Sequence, residues 1–311
     1  MMKVAEVVQK YWDERAAKMY DKICYIDEEK MNNVLLNHLN VDKHGVILDF
    51  GTGTGFLALM LAKSGYKKII GLDINESMLN IAKEKLFGYP VKLVRGDGLH
   101  LPIADNSVDA VVGRWILWVM PDPERAIEEI VRVTKPGGQV LIFESASISD
   151  KKDKSIWKRL SGFPLRQFHY IYITLRFRVS PFRTKWFWRE TEGKLPMYSP
   201  EKYVQIFKQK GLRSVENTVE EEYGTLCAKL FFGGFKFSII KGVKLAKQIP
   251  KLAFQSEEWG MNELLKILVC PICRSNLKVM NEKELICKYC DKAYPIIKGI
   301  PNLLPPEDKL L

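Results

Sequence analysis

Nowhere in the 311 residues does an apolar run approach the ~18 residues that span a bilayer. The first stretch, MMKVAEVVQKYWDERAAK, has no apolar core of the kind a secretory signal carries. Cysteine is scarce before position 270, where only Cys24 and Cys227 occur. Four of the six cysteines crowd into the last 42 residues, so an extended disulfide framework is excluded. A lone cysteine is most often a small buried hydrophobe, and Cys24 and Cys227 are assigned no function. Acidic residues are also in deficit: 37 against 48 basic ones leave a net charge of +11, which suits an anionic partner or surface. Hydrophobic content of 47% and charged content of 27% are those of a soluble globular protein. The expectation is a cytoplasmic protein of one large and one small domain.

A further absence lies in the most informative stretch, Val46–Gly55 (VILDFGTGTG). Three apolar residues lead into Asp49, glycine follows at 51, 53 and 55, and the apolar-rich run from Phe56 to Ala62 begins a helix. Glycine there permits the turn and lets a ligand lie against bare backbone. A strand, glycine turn and helix N-terminus is where α/β proteins bind nucleotides. The G-x-G-x-x-G spacing of dinucleotide sites is missing. The spacing is G-x-G-x-G, with the carboxylate of Asp49 two residues ahead. An acid there repels pyrophosphate and suits an ammonium or sulfonium, both of which S-adenosylmethionine carries.

Asp49–Gly55 thus resembles the first motif of the class I S-adenosylmethionine-dependent methyltransferases, of the type 11-like group. The resemblance runs over about residues 10–145, because later motifs follow in order. It implies a Rossmann-like α/β fold with a seven-stranded sheet, helices on both faces and an antiparallel last hairpin. Val46–Leu48, Lys67–Ile74, Val91–Arg95, Val108–Val112 and Gln139–Glu144 read as the first five strands. Asp73 ends the second strand, 24 residues after Asp49, where an acid accepts hydrogen bonds from ribose hydroxyls. Asn75 and Ser77 are left to cap the next helix. The family places an adenine-binding acid at Asp97, although a turn aspartate between Gly96 and Gly98 is the plainer reading. The cofactor-binding set implied is Asp49, Gly51, Thr52, Gly53, Gly55, Asp73, Ile74, Asp97, Gly98 and Arg114. The run EEIVRVTKPGGQVLIF matches the family's last block. Residues 4–20 read as a helix that the resemblance lays over the cofactor, with Tyr11, Trp12 and Tyr20 as cover. No catalytic residue is specified; His100, His169 and Glu144 are the groups that could take a proton.

Residues 151–198 form a basic, aromatic insertion. Between Lys151 and Glu190, eleven lysines and arginines face two acids, beside ten aromatics. Cations with aromatics suit single-stranded nucleic acid or an anionic membrane surface; a lid with a basic outside and aromatic inside is the plainer alternative. Ser199–Gly211 reads as a helix, and Leu212–Glu220 with Glu222–Phe232 as the terminal hairpin. Residues 233–260 then read as an amphipathic basic linker. That places a methyltransferase domain at 1–232 and a second domain at 261–311.

In that second domain, Cys270, Cys273, Cys287 and Cys290 give C-x2-C-x13-C-x2-C. Two knuckles of two thiolates each make a closed structural Zn²⁺ site. The module resembles the small zinc-ribbon proteins that activate tRNA, rRNA and release-factor methyltransferases, carried by ELLKILVCPIC and AYPIIKGIPNLL. Those proteins usually act as separate subunits, and a fused copy implies that no separate activator is required.

The reading is an S-adenosylmethionine-dependent methyltransferase. The insertion and ribbon favour RNA or a translation component as methyl acceptor. The alternative is a small or amphipathic quinone- or lipid-like molecule, since the Arg114–Glu124 stretch and the PGG block resemble quinone-biosynthesis enzymes. The family's Asn-Pro-Pro-aromatic motif is missing after the fourth strand, where Gly113-Arg114-Trp115-Ile116 stands instead. A non-catalytic zinc-ribbon scaffold is the third reading, and the intact Asp49, Asp73 and Asp97 argue against it.

Overall fold

A computed structural model describes residues 3–22, 27–145, 175–176, 178, 180, 182–196, 198–221, 236–245 and 259–305. Cys24, Cys227, His169, the strand expected over Glu222–Phe232 and most of the 151–198 insertion lie outside the described residues.

Five parallel strands form the centre: β1 (Val46–Phe50), β2 (Lys68–Asp73), β3 (Val91–Gly96), β4 (Val108–Arg114) and β5 (Thr134–Ser145). They are ordered β3-β2-β1-β4-β5. All five residues of β1 are buried, as a strand covered on both faces requires. One face of the sheet packs on α3 (Glu28–His38), α4 (Phe56–Lys63) and α5 (Glu76–Lys85), through residues such as Met31, Leu35, Leu61 and Leu79. The other packs on α6 (Pro123–Val133) and α8 (Pro200–Gln209), through Ile127, Ile130, Tyr203 and Phe207. Caps begin these helices as their sequences predict: Asn75, Asp122 and Ser199 each accept a backbone N–H from their own first turn.

Beyond β5 the sheet continues antiparallel with β7 (Lys236–Lys244), which also pairs with β6 (Leu212–Glu221). This gives the expected seven strands, with one correction. The last described strand, β7, lies inside the stretch expected to be a linker. Ser238, Ile239 and Ile240 are buried in it. Its lysines mimic a solvated linker, but Lys244 curls back to donate to Val131 O and Thr134 O at 2.7 Å, where α6 hands over to β5. The segment expected as a single helix over 4–20 is two: α1 (Val4–Tyr11) and α2 (Glu14–Lys22). Asp13 separates them, and its side chain accepts the N–H of Ala16 in the first turn of α2.

The cysteine-rich end does not stand apart. A short helix α9 (Met261–Leu265) precedes β8 (Leu277–Asn281), β9 (Glu284–Cys287), β10 (Lys292–Ile297) and β11 (Ile300–Leu303). β11 pairs in parallel with β3, Asn302 against Arg95 and Leu303 against Gly96. The result is one eleven-stranded sheet, β6-β7-β5-β4-β1-β2-β3-β11-β10-β9-β8. No helix among the described residues is long and apolar enough to cross a membrane.

Candidate cofactor cavity and metal centre

A cavity of about 540 Å³ opens at the C-terminal ends of β1–β4, where open α/β sheets place ligands. Its floor is backbone. Gly51 and Gly53 line it with φ of +71° and +55°. A Cβ on Gly51 would meet the Ile116 side chain at 2.5 Å, whereas Gly53 faces open space. Gly51 and Thr52 both donate their N–H to Leu72 O at 2.9 Å, which folds the turn onto β2.

The acids divide into two kinds. Asp73 lines the cavity; its Oδ2 accepts Gly53 N–H and its Oδ1 accepts Asn75 N–H, both at 2.8 Å. An ionised carboxylate has about four lone-pair sites, so acceptor capacity remains for a ligand. Asp97 also lines it, with Oδ1 accepting Leu99 N–H at 3.0 Å and Oδ2 facing His100 Nδ1 at 2.9 Å. Burial pushes the Asp73 carboxyl above its ordinary value, against three backbone hydrogen bonds that pull it down.

Asp49 is different. Its carboxylate is 1% exposed and does not line the cavity. Oδ2 accepts Thr52 Oγ1 at 2.6 Å and Ala58 N–H at 3.1 Å, bracing the glycine turn against α4. Burial pushes its pKa to about 6. Asp49, expected from the sequence to face a ligand cation, braces the turn from behind the cavity lining. Thr52 and Gly55 likewise stand behind the turn: Gly55 is the left-handed residue that starts α4, with φ of +80°. Gly51, Gly53, Asp73, Ile74, Asp97, Gly98 and Arg114 of the predicted set line the cavity.

The cover is aromatic. Val4, Val8, Tyr11 and Trp12 from α1 and the residue after it, and Tyr20 from α2, close one side, as the sequence suggested. Asn75 Nδ2 donates to Gln9 O at 3.2 Å, pinning α1 beside the end of β2. Trp115, Trp118, Val119, Met120 and Pro121, from β4's end and the turn at Leu117–Val119, close the other with Trp188. Sequence reasoning passed over Trp118, Met120 and Pro121. Their signal was position alone, just past the C-terminal end of a central strand. Trp115 has φ of +54°, left-handed for a bulky residue.

Trp188 comes from α7 (Arg183–Thr191), the described part of the insertion. Arg183 Nε donates to Tyr11 O at 2.6 Å and its Nη2 to Lys10 O at 2.7 Å, with Asp13 at 3.0 Å. These are orphan carbonyls at the C-terminus of α1, so Arg183 holds the lid and is 15% exposed. Phe187 is buried against Tyr11, ring centroids 4.6 Å apart. In this described part Phe187 is buried and Trp188 lines the cavity, while Phe182 is exposed.

Of the three candidate proton acceptors, Glu144 is 1% exposed and its Oε1 accepts the N–H groups of Ile116 and Leu117. It shapes the cavity wall. His100 faces Asp97. No histidine or cysteine is among the described lining residues.

At the other end of the chain, the sulfurs of Cys270, Cys273, Cys287 and Cys290 lie within 4.8 Å of one another. Cys270 and Cys290 are 3.6 Å apart, Cys273 and Cys287 3.4 Å. A tetrahedral zinc with arms of about 2.3 Å has sulfur–sulfur edges of about 3.8 Å, so the four thiols fit that ion. The hydroxyl of Tyr294 lies 3.1 Å from Cys270 Sγ, a partner outside the four ligands.

Residues 48–142 match the model of a methyltransferase domain, and residues 262–299 that of Trm112p-like proteins. The chain therefore carries a class I methyltransferase domain followed by a Trm112p-like domain. The demethylmenaquinone methyltransferase of Desulfitobacterium hafniense (strain Y51) is 41% identical over 106 residues, 32% of this chain and 42% of that one. Its counterpart from Staphylococcus haemolyticus is 29% identical over 204 residues, 63% of this chain and 82% of that one. The chain spans 42%, 60% and 52% of the first three such relatives, about half their length. Among solved structures, a Haemonchus contortus phosphoethanolamine N-methyltransferase 2 superposes with a TM-score of 0.55 at 16% identity, covering 79% of this chain and 61% of that one. A chain from the complex of the Haloferax volcanii Trm112 methyltransferase activator gives 0.54 at 19%, covering 78% and 99%. These two likenesses establish the fold.

Proposed function

We propose that the protein transfers a methyl group from S-adenosylmethionine to a small, planar, amphipathic acceptor of the quinone class. The observation that carries this is the shape of the cavity: bare backbone and two acids at one end, a closed wall of tryptophan and aliphatic side chains at the other. An aromatic wall of this kind stacks a flat apolar molecule and keeps water out. The names of the demethylmenaquinone methyltransferase relatives support the same acceptor class.

Gly51, Gly53 and Ile74 would hold the cofactor by backbone and shape, Asp73 by the ribose, and Asp97 with Gly98 by the adenine. Bound S-adenosylmethionine supplies an electrophilic methyl on a positive sulfonium. The chain's own contribution is placement: the lid helices and Trp188 exclude water, and the Trp115–Pro121 wall aligns the acceptor. Asp73 and Asp97 are both engaged by backbone N–H groups. The site is therefore organised for orientation more than for acid–base chemistry. Zn²⁺ on the four cysteines would hold the ribbon together and leave no open coordination position. We place the methyltransferase unit at residues 1–245, with β7 as its last strand, and the ribbon at 261–305.

RNA remains the second reading, supported by the Trm112p-like domain; the cationic segment that would grip it lies largely outside the described residues. Labelled S-adenosylmethionine, purified protein and cell extract split into lipid, RNA and protein fractions distinguish them. Label in the lipid-extractable fraction is expected. Label in RNA would overturn the acceptor class, and no label with no cofactor binding would overturn the methyltransferase reading.

A further inference from the structure

Of the described residues that line the cavity, Trp188 alone is exposed, at 42%. The cavity therefore meets solvent beside α7. Next to Trp188 stands half-buried Trp118, ring centroids 5.8 Å apart and planes 38° apart. Trp118 is in turn held edge-on by buried Phe187, at 6.1 Å and 68°. A flat ligand sandwiched between two rings needs about 7 Å between them, twice the ~3.5 Å of a good carbon contact. At 5.8 Å the two indoles leave no such slot. They form a continuous apolar strip that ends at the mouth. The charged lining residues Asp73, Asp97 and Arg114 all stand at strand ends instead.

Size adds a second constraint. A cavity of about 540 Å³ suits one drug-sized ligand, and the cofactor is already of that size. An acceptor with a long tail must reach out through the mouth. We propose that the strip selects acceptors through two residues with separate tasks. Trp118 carries the flat ring, and Trp188 carries an aliphatic chain that leaves the cavity beside α7. The acceptor is then a ring system with an apolar tail, not a compact molecule enclosed whole. This rests on the quinone-class reading above and deepens it.

Calorimetry on the full chain saturated with S-adenosylhomocysteine separates the two tasks. The probes are 2-methyl-1,4-naphthoquinones whose neighbouring ring position carries a methyl group, one isoprenoid unit or two. With both ring positions blocked, no thiol adds to them. Wild-type protein is expected to gain up to about tenfold in affinity with each longer probe, since the strip covers one side of the four or five added carbons. Trp188→Ala should lose most of that gain and bind the dimethyl probe as wild type does. Trp118→Ala should weaken all three probes by a common factor of about ten and keep the gain. Trp118→Phe, which keeps a ring, should fall between, and serves if the alanine variant misfolds. General loosening of the lid weakens every probe alike, so it cannot imitate the Trp188→Ala result. A chain gain that survives Trp188→Ala, a dimethyl probe weakened as much as the longer ones by it, or ring affinity untouched by both Trp118 variants overturns the inference and leaves the quinone-class reading standing. Wild-type protein that binds S-adenosylhomocysteine but none of the probes overturns both.

Discussion

Asp49 illustrates how a motif residue can brace a cavity that it does not line. Its carboxylate is enclosed, and burial outweighs the Thr52 and Ala58 hydrogen bonds, so its pKa stands at about 6. In an unfolded chain the same group titrates near 3.9, to order of magnitude. Between those values the folded form keeps a proton that the unfolded form has lost. Stability of the ligand-free protein therefore falls as pH rises from about 4 to about 6, and the deficit persists above that window. Asp49→Asn keeps an acceptor for Thr52 and Ala58 and removes the charge. The variant should be more stable than wild type at pH 8, by up to about 3 kcal/mol, and melt higher, with the gap closing near pH 4. Thermal melts across pH measure this, and a pH-independent gap would rule out burial of charge as the cause. Asp73 tests the opposite case, an acid in the cavity. Asp73→Ala should weaken S-adenosylmethionine binding, by about 1.5–3 kcal/mol for each hydrogen bond lost to the charged acceptor. It also frees Gly53 N–H, so the turn loosens with it. Unchanged affinity by titration would remove Asp73 from the site.

At the scale of elements, the lid is α1 and α7 clasped by one side chain. Arg183 satisfies two carbonyls that α1 leaves unpaired, and Phe187 fills the space beneath Tyr11. Arg183→Ala should speed cofactor dissociation, because the cover is no longer tied across the cavity. Stopped-flow displacement would measure it, and an unaltered off-rate would mean that the lid closes by aromatic packing alone. This clasp was not readable in the sequence, where Arg183 counts as one of many cations available to RNA. Its partners lie over 170 residues away, and charge says nothing about where a side chain is spent. The reverse held for β7: its alternation of lysine with apolar residues is that of a strand, yet lysine density made it resemble a solvated linker. The glycine turn, the caps and the first five strands were legible because each rests on local chemistry: a positive φ, an N-cap oxygen, an apolar run. The cysteine spacing was legible for the same reason, since each knuckle is self-contained.

Across the whole molecule, the two domains share one sheet, and their join lies next to the cavity. The loop Asp97–Leu99 hangs between two fixed points. On one side, β11 of the ribbon pairs with Arg95 and Gly96. On the other, Val269 N–H donates to Pro102 O at 3.0 Å and Ala104 N–H to Ile267 O at 2.8 Å. Between them sits Glu129, 1% exposed, whose Oε2 accepts Leu101 N–H and Arg132, and whose Oε1 accepts Arg125, Arg132 and Arg274 of the ribbon. A ribbon of this size has too little core to hold these contacts by itself, and metal binding would be folding for it. Removing the zinc, by chelation or by Cys287→Ser, should therefore lower cofactor affinity although no cysteine lines the cavity. The amides of Leu99 and Leu101 should lose protection from hydrogen exchange at the same time, whereas those of β1 and β4 should keep theirs. Arg274→Ala, which removes only a half-exposed contact to Glu129, should cost about 1 kcal/mol or less. An undiminished affinity in protein whose ribbon amides exchange freely would show that the methyltransferase sheet holds Asp97 in place unaided, and that the ribbon's attachment to β3 serves something other than the cofactor.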